Sequence, residues 1–203
     1  MVMIKAITFD LDGVYFPNGK ANFIKNLDSL GVSESEARRV FLQSDQMNKV
    51  YKNGLMTDKD FWAWAAKEWG FTGVWLELPD LMVSGYDVSP EVASIVRGVR
   101  ENGYKSLICS NNFPARVNGL NNRFKFLEDF DAWVFSFDVG ESKPSEKIFR
   151  ELIKRSGVAP QEIVFADDHE ENVTAARKLG ITAFVYEGFD KFIDRLRSLG
   201  VNV

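Results

Sequence analysis

The chain has 203 residues, 45% hydrophobic and 27% charged, enough apolar material for one large domain or one domain carrying a smaller insert. Its formal net charge of -4 argues against a nucleic-acid partner, which needs clustered Lys and Arg, but not against a small phosphorylated one. Cys109 is the sole cysteine and His169 the sole histidine, which excludes an internal disulfide, a cysteine-rich zinc site and a multi-histidine metal site, and speaks against a Ser-His-Asp triad.

The N-terminus reads MVMIKAITFDLDG. Its apolar run over residues 2–9 is short, contains Lys5 and stops at Asp10, so a buried strand and a tight turn are expected, not a signal peptide. No segment approaches the length of a membrane span, and a cytoplasmic protein is the expectation. Residues 15–86 then read as helical. Ser33 and Glu36 form a capping-box pattern that opens a helix running toward Asn53-Gly54. Thr57-Asp58-Lys59-Asp60 opens another, through FWAWAAKEW, stopped by Gly70.

A helix over residues 90–102 follows, with Ser89 as N-cap, Pro90 at the first helical position and Gly103 as the stop. Short apolar runs at 106–109, 132–137, 163–166 and 183–186 are the remaining strands, separated by helical patterns at 145–156 and 170–179. Strands alternating with helices predict a parallel sheet covered on both faces.

In such sheets ligands bind beyond the carboxyl ends of the strands. There the sequence places Asp10 and Asp12 after the first strand, Ser110 and Asn111 after the second, Lys143 after the third, and Asp167 and Asp168 after the fourth. Converging carboxylates need positive charge, and oxygen donors without thiolate or several imidazoles favour Mg2+. Lys143 adds a second positive charge; Ser110 and Asn111 join it as candidate phosphate-binding residues. The set suits phosphoryl transfer, with Asp10 attacking phosphorus and Asp12 protonating the leaving alkoxide, then activating water. Singly, each residue also has an ordinary reading. Asp10 and Asp12 are turn formers, Ser110 a helix cap, Lys143 a solvated surface lysine, and Asp168 or His169 a cap for the next helix. Their joint occurrence at successive strand ends favours the chemistry.

FDLDGV at residues 9–14, Ser110 in ICSNN, Lys143 in ESKPSEKIF and FADDHEENVTAARKLGI at 165–181 resemble, in order and spacing, the four motifs of the haloacid dehalogenase-like hydrolases. The resemblance implies a Rossmann-like core of residues 1–14 and 88–203 and a helical cap of 15–87 inserted after the first strand. It implies that Asp10 is nucleophile and metal ligand, and that Asp12 is acid-base residue and ligates metal through its backbone carbonyl. Ser110 and Lys143 would bind the phosphoryl group, and Asp167 and Asp168 would hold Mg2+ directly or through water. The pattern is most similar to small sugar-phosphate phosphatases of the glucose-1-phosphate type.

The 2-haloacid dehalogenases lack an aspartate at the Asp12 position, because a halide leaves without a proton, so Asp12 favours a phosphatase or phosphomutase over a dehalogenase. A phosphomutase of the β-phosphoglucomutase type and a non-catalytic binding protein on the same fold remain alternatives. A small phosphorylated metabolite is the expected partner, with the protein a monomer or weak homodimer. Two positions depart from the family pattern, His169 and Asn172, and neither is assigned to metal. In the insert, Tyr15, Phe16 and Asn18 are candidates for substrate contact. Gln43, Asp45, Asn48, Tyr51 and Lys52 read mostly as a solvated helix face, and Phe61, Trp62, Trp64 and Trp69 as core.

Overall fold

Apolar runs of four to six residues with no polar face have their stable home inside a covered parallel sheet. In the computed structural model, which describes residues 3–203, such runs form β1 (Ala6–Phe9), β2 (Lys105–Ser110), β3 (Ala132–Phe135), β4 (Ile163–Asp167) and β5 (Thr182–Val185). They pair in parallel in the order β3-β2-β1-β4-β5. Strand β1 is therefore central, and the chain reverses its direction of winding there. Asp10 emerges at that switch point, between the ends of β2 and β4.

Alternate residues of each strand enter different cores. Ile7, Phe9, Ile108 and Val164 face one; Ala6, Leu107, Cys109, Ile163 and Phe165 face the other. The first core is covered by α5 (Pro90–Glu101) and α10 (Phe189–Ser198), the second by α8 (Glu146–Ser156) and α9 (Glu170–Lys178). Ser89 caps α5 by accepting from Val92 N (3.3 Å), and Ser145 caps α8 by accepting from Lys147 N (3.2 Å).

Between β1 and α5 lie α1 (Gly19–Asp28), α2 (Glu34–Arg38), two wider π turns (Arg39–Gln43 and Gln46–Tyr51), α3 (Asp58–Glu68) and α4 (Glu77–Ser84). Ser33 accepts from Glu36 N and Thr57 from Asp60 N, as their patterns predict. Phe23, Phe41, Phe61, Trp62 and Trp69 are buried together, with Trp64 partly buried beside them.

This insert packs on the core at the loop after β2 and the helix that follows it. Phe113, from the loop after β2, stacks on Tyr51 (ring centroids 4.7 Å) and meets Phe41 and Trp62 edge-on. The Asp58 carboxylate takes the Tyr51 hydroxyl and also caps α6 (Pro114–Phe124) by accepting from Ala115 N (3.1 Å). Gly54 lies so close to the Phe137 carbonyl that a Cβ there would meet its oxygen at 2.4 Å, and its φ of +70° suits glycine as well.

Several expectations shift. The strand predicted over residues 2–9 is regular only from Ala6, and Val2 lies outside the described residues. The strand predicted over 132–137 ends at Phe135. Residues Ser136–Val139 instead form a helical turn, α7, closed by Gly140 at φ +82°, because the Ser136 hydroxyl is drawn to the Lys52 and Asn112 carbonyls. Tyr15 and Phe16 are not substrate-facing. Both are buried against Phe126, and the Tyr15 hydroxyl donates to Asp129 (3.1 Å). Asn18 is exposed at the start of α1.

Candidate active site

The sheet's carboxyl edge gathers charge in two clusters. In the first, Lys143 Nζ lies 3.1 Å from Asp10 Oδ2, 2.7 Å from Asp167 Oδ2 and 3.0 Å from the Cys109 carbonyl. The Lys143 and Asp167 side chains are 2% and 1% exposed. Burial opposes the lysine's charge, but the two carboxylates outweigh it, so its pKa is raised above the ordinary value. Burial likewise opposes charge on Asp167; the lysine, Asn172 and the His169 backbone outweigh it and hold the pKa down. A solvated lysine is thus the wrong reading for Lys143.

Asn111 fixes that lysine. Its Oδ1 accepts from Lys143 N (2.7 Å) and its Nδ2 donates to Lys143 O (3.1 Å), so the amide expected at an anion is spent on backbone. Ser110 is buried at the end of β2, beside the Cys109 carbonyl that Lys143 bonds.

In the second cluster Asp12 Oδ2 meets Arg116 NH2 at 2.6 Å and Lys20 Nζ at 3.1 Å. Arg116 is 1% exposed. Its remaining donors reach Asn112 Oδ1 (2.7 Å), the Tyr86 hydroxyl (3.2 Å) and the Asn111 carbonyl (3.4 Å), and its guanidinium lies over Phe113. Burial alone would raise the pKa of Asp12; Arg116 and Lys20 overcome it and lower the value. Lys52, nearby on the insert, is pushed down to about 7 by burial and by the charges of Lys20 and Arg116, against the pull of Asp12 and Asp10.

Lys20, Arg116 and Tyr86 are not among the residues the sequence singles out, and Lys52 reads there as part of a solvated face. One signal was present. Arg116 occupies the stripe of α6 that carries Val117 and Leu120 inward, where an apolar residue is the norm. Of the other insert candidates, Tyr51 is core, Asn48 bonds Lys52, and Gln43 and Asp45 are exposed.

The residues fit a hard divalent cation. The carboxylates of Asp10, Asp167 and Asp168 are oxygen donors at adjacent strand ends, and Asp167, Asp168 and His169 offer ligand atoms within 4.8 Å of one another. Asp168 is 68% exposed, and His169 Nδ1 lies 3.1 Å from its Oδ1. His169 sits at the N-cap of α9 but its side chain caps nothing; its backbone N–H donates to Asp167 Oδ1. Asn172 Nδ2 donates to the same oxygen (2.7 Å), while Asn172 Oδ1 is buried without a hydrogen-bond partner among the described residues. That leftover acceptor beside Asp167 suits the water shell of a bound ion.

A parallel sheet with a helical insert after β1 and acidic groups at the ends of β1 and β4 defines a class of hydrolases. The sequence profile of the haloacid dehalogenase-like hydrolases matches residues 4–180, and the chain belongs to that family. It is 24% identical to the D-ribitol-5-phosphate phosphatase of Bacteroides thetaiotaomicron, over 90% of this chain and 91% of that protein. It is 27% identical to flavin mononucleotide hydrolase 1 of Arabidopsis thaliana, over 62% of this chain and 51% of that protein. Among solved structures, a family enzyme from Bacteroides thetaiotaomicron in complex with magnesium and inorganic phosphate superposes with a TM-score of 0.75. That match covers 91% of this chain and 94% of the other at 22% identity, a likeness of fold. No helix among the described residues is long and apolar enough to cross a membrane.

Proposed function

We propose that the protein is a Mg2+-dependent phosphatase of small phosphomonoesters, a sugar phosphate being the first candidate. The observation that carries this reading is the meeting of Asp10 and Asp12 with buried cations, Lys143 and Arg116, at the middle of the sheet's carboxyl edge. Phosphatase-named relatives support it.

Asp10 would attack phosphorus and form an aspartyl-phosphate. Ser110 and Lys143 would hold the phosphoryl oxygens, Lys143 being oriented by Asn111. Asp10, Asp167, Asp168 and the Asp12 carbonyl would hold Mg2+, which supplies charge neutralisation at the phosphoryl oxygens. Asp12 protonates the departing alkoxide, then takes a proton from the water that cleaves the acyl-phosphate. Held by Arg116 and Lys20, it rests as a carboxylate, the form the second step needs. For the first step the negative charge of a bound phosphoryl group nearby favours the protonated form. The helical insert acts as a cap that excludes water, and the setting is cytoplasmic.

The test is phosphate release from a broad ester panel with Mg2+, with Asp10→Asn as control. Hydrolysis of at least one ester by the wild type and its loss in the variant are expected. No hydrolysis of any ester, or an equally active variant, overturns the reading.

A further inference from the structure

The two clusters differ in charge balance. On the β4 side one cation, Lys143, faces two carboxylates, Asp10 and Asp167. On the insert side two cations, Arg116 and Lys20, pair with one carboxylate, Asp12, and a third, Lys52, lies close enough to feel the charges of all three. Arg116 already bonds Asp12, Asn112, Tyr86 and the Asn111 carbonyl, and Lys20 is paired with Asp12. Lys52 has no carboxylate within 4.0 Å among the described residues; its ammonium donates to Asn48 Oδ1 (2.9 Å), leaving donors to spare. Lys52 is half-buried; withdrawing a cation from water even in part without a counter-charge is unfavourable, and proteins accept it chiefly where a ligand supplies the charge. The backbone at Lys52 is held in place, since its carbonyl accepts the Ser136 hydroxyl.

The transferring phosphoryl group is not the missing anion if it sits at Asp10, Ser110 and Lys143. In-line attack by Asp10 sends the leaving oxygen away from Asp10, to where Asp12 can protonate it. The insert-side cations lie around Asp12, so they meet what is attached to that oxygen. Resting on the phosphatase reading above, we infer that Lys52, with Lys20 beside it, binds an anionic group on the leaving-group side of the substrate, a carboxylate or a second phosphate. The insert then selects phosphomonoesters whose alcohol carries a charge of its own.

The experiment is calorimetric binding to the full-length Asp10→Asn protein with Mg2+, so that no probe is consumed. Two matched pairs are compared at about pH 6, where Lys52 is charged: 3-phosphoglycerate against glycerol 3-phosphate, and fructose 1,6-bisphosphate against fructose 6-phosphate. The expected result is tighter binding of the charged member of at least one pair by about tenfold or more, the pair that responds identifying carboxylate or phosphate. Adding Lys52→Gln brings that ratio to within about twofold, and Lys52→Arg, which keeps the charge, preserves it. Equal binding within both pairs, no measurable binding of either charged probe, or a ratio that survives Lys52→Gln overturns the inference. The phosphatase reading fails separately, if the wild-type protein releases no phosphate from any ester.

Discussion

The β4 side and the insert side of this site are built from the same material, carboxylates each held by one deeply buried cation, yet they reach it by opposite routes. On the β4 side Asp10 and Asp167 hang from strand ends, and Lys143 from the short β3–α8 connection that contains α7. On the insert side only Asp12 does; its partners Arg116 and Lys20 ride on helices, and the neighbouring Lys52 follows a helical segment, from three different stretches of chain. The first cluster is excess negative and suited to a cation and a phosphoryl group. The second is excess positive and suited to a proton-transfer residue and an anion. A sheet edge thus supplies the reaction centre, while docked helices set what surrounds it.

Substitutions can break this comparison. The largest effect is expected for Asp10→Asn, which removes the proposed nucleophile and lowers phosphate release by about a thousandfold or more, read by steady-state kinetics. Next comes Lys143→Met. It leaves Asp10 and the buried Asp167 uncompensated and should destabilise the fold by about 3–5 kcal/mol in urea unfolding. Added Mg2+ should recover more stability in this variant than in the wild type, because the ion then faces two unneutralised carboxylates.

Arg116→Met tests the other side. Asp12 keeps Lys20 and is less deeply buried than Asp167, so the expected loss is smaller, about 2–3 kcal/mol by the same unfolding measurement. A loss as large as that of Lys143→Met would erase the distinction between the clusters. The smallest effect is a pH response. Lys52, faced by Lys20, Arg116, Asp12 and Asp10, is charged below about 7 and neutral above it. Its depressed pKa means the cation is lost as pH rises through that value. Binding of the charged probe that responds at about pH 6 should therefore weaken by about tenfold by about pH 8.5, relative to its neutral partner.

Much of the sheet and of the β4 side was legible in the sequence. Buried strands of a parallel sheet are unbroken apolar runs, and the polar residue that stops each run is the residue delivered to the carboxyl edge. That logic placed Asp10, Ser110 and Asp167 correctly, and Lys143 through the turn before α8. It had no purchase on Lys20, Lys52 or Arg116, whose positions depend on how the insert seats on Phe113 and on the α6 cap made by Asp58. A lysine on a helix reads as solvated until the surface that covers it is known. Tyr15 and Phe16 illustrate the converse. Their place just after the nucleophile loop suggested substrate contact, but a cluster with Phe126, distant in sequence, draws them inward. The strand expected over 132–137 ends two residues early for a similar reason, since Ser136 is turned by partners on Lys52 and Asn112 that no local pattern announces.

The central claim is that Asp10 carries the phosphoryl group during turnover. Acid quenching of the enzyme while it hydrolyses an ester with Mg2+, followed by mass spectrometry of the peptides, tests this directly. One added phosphoryl mass is expected on the peptide containing Asp10, absent from Asp10→Asn. Sustained phosphate release with no such adduct, or with an adduct on another residue, would contradict it.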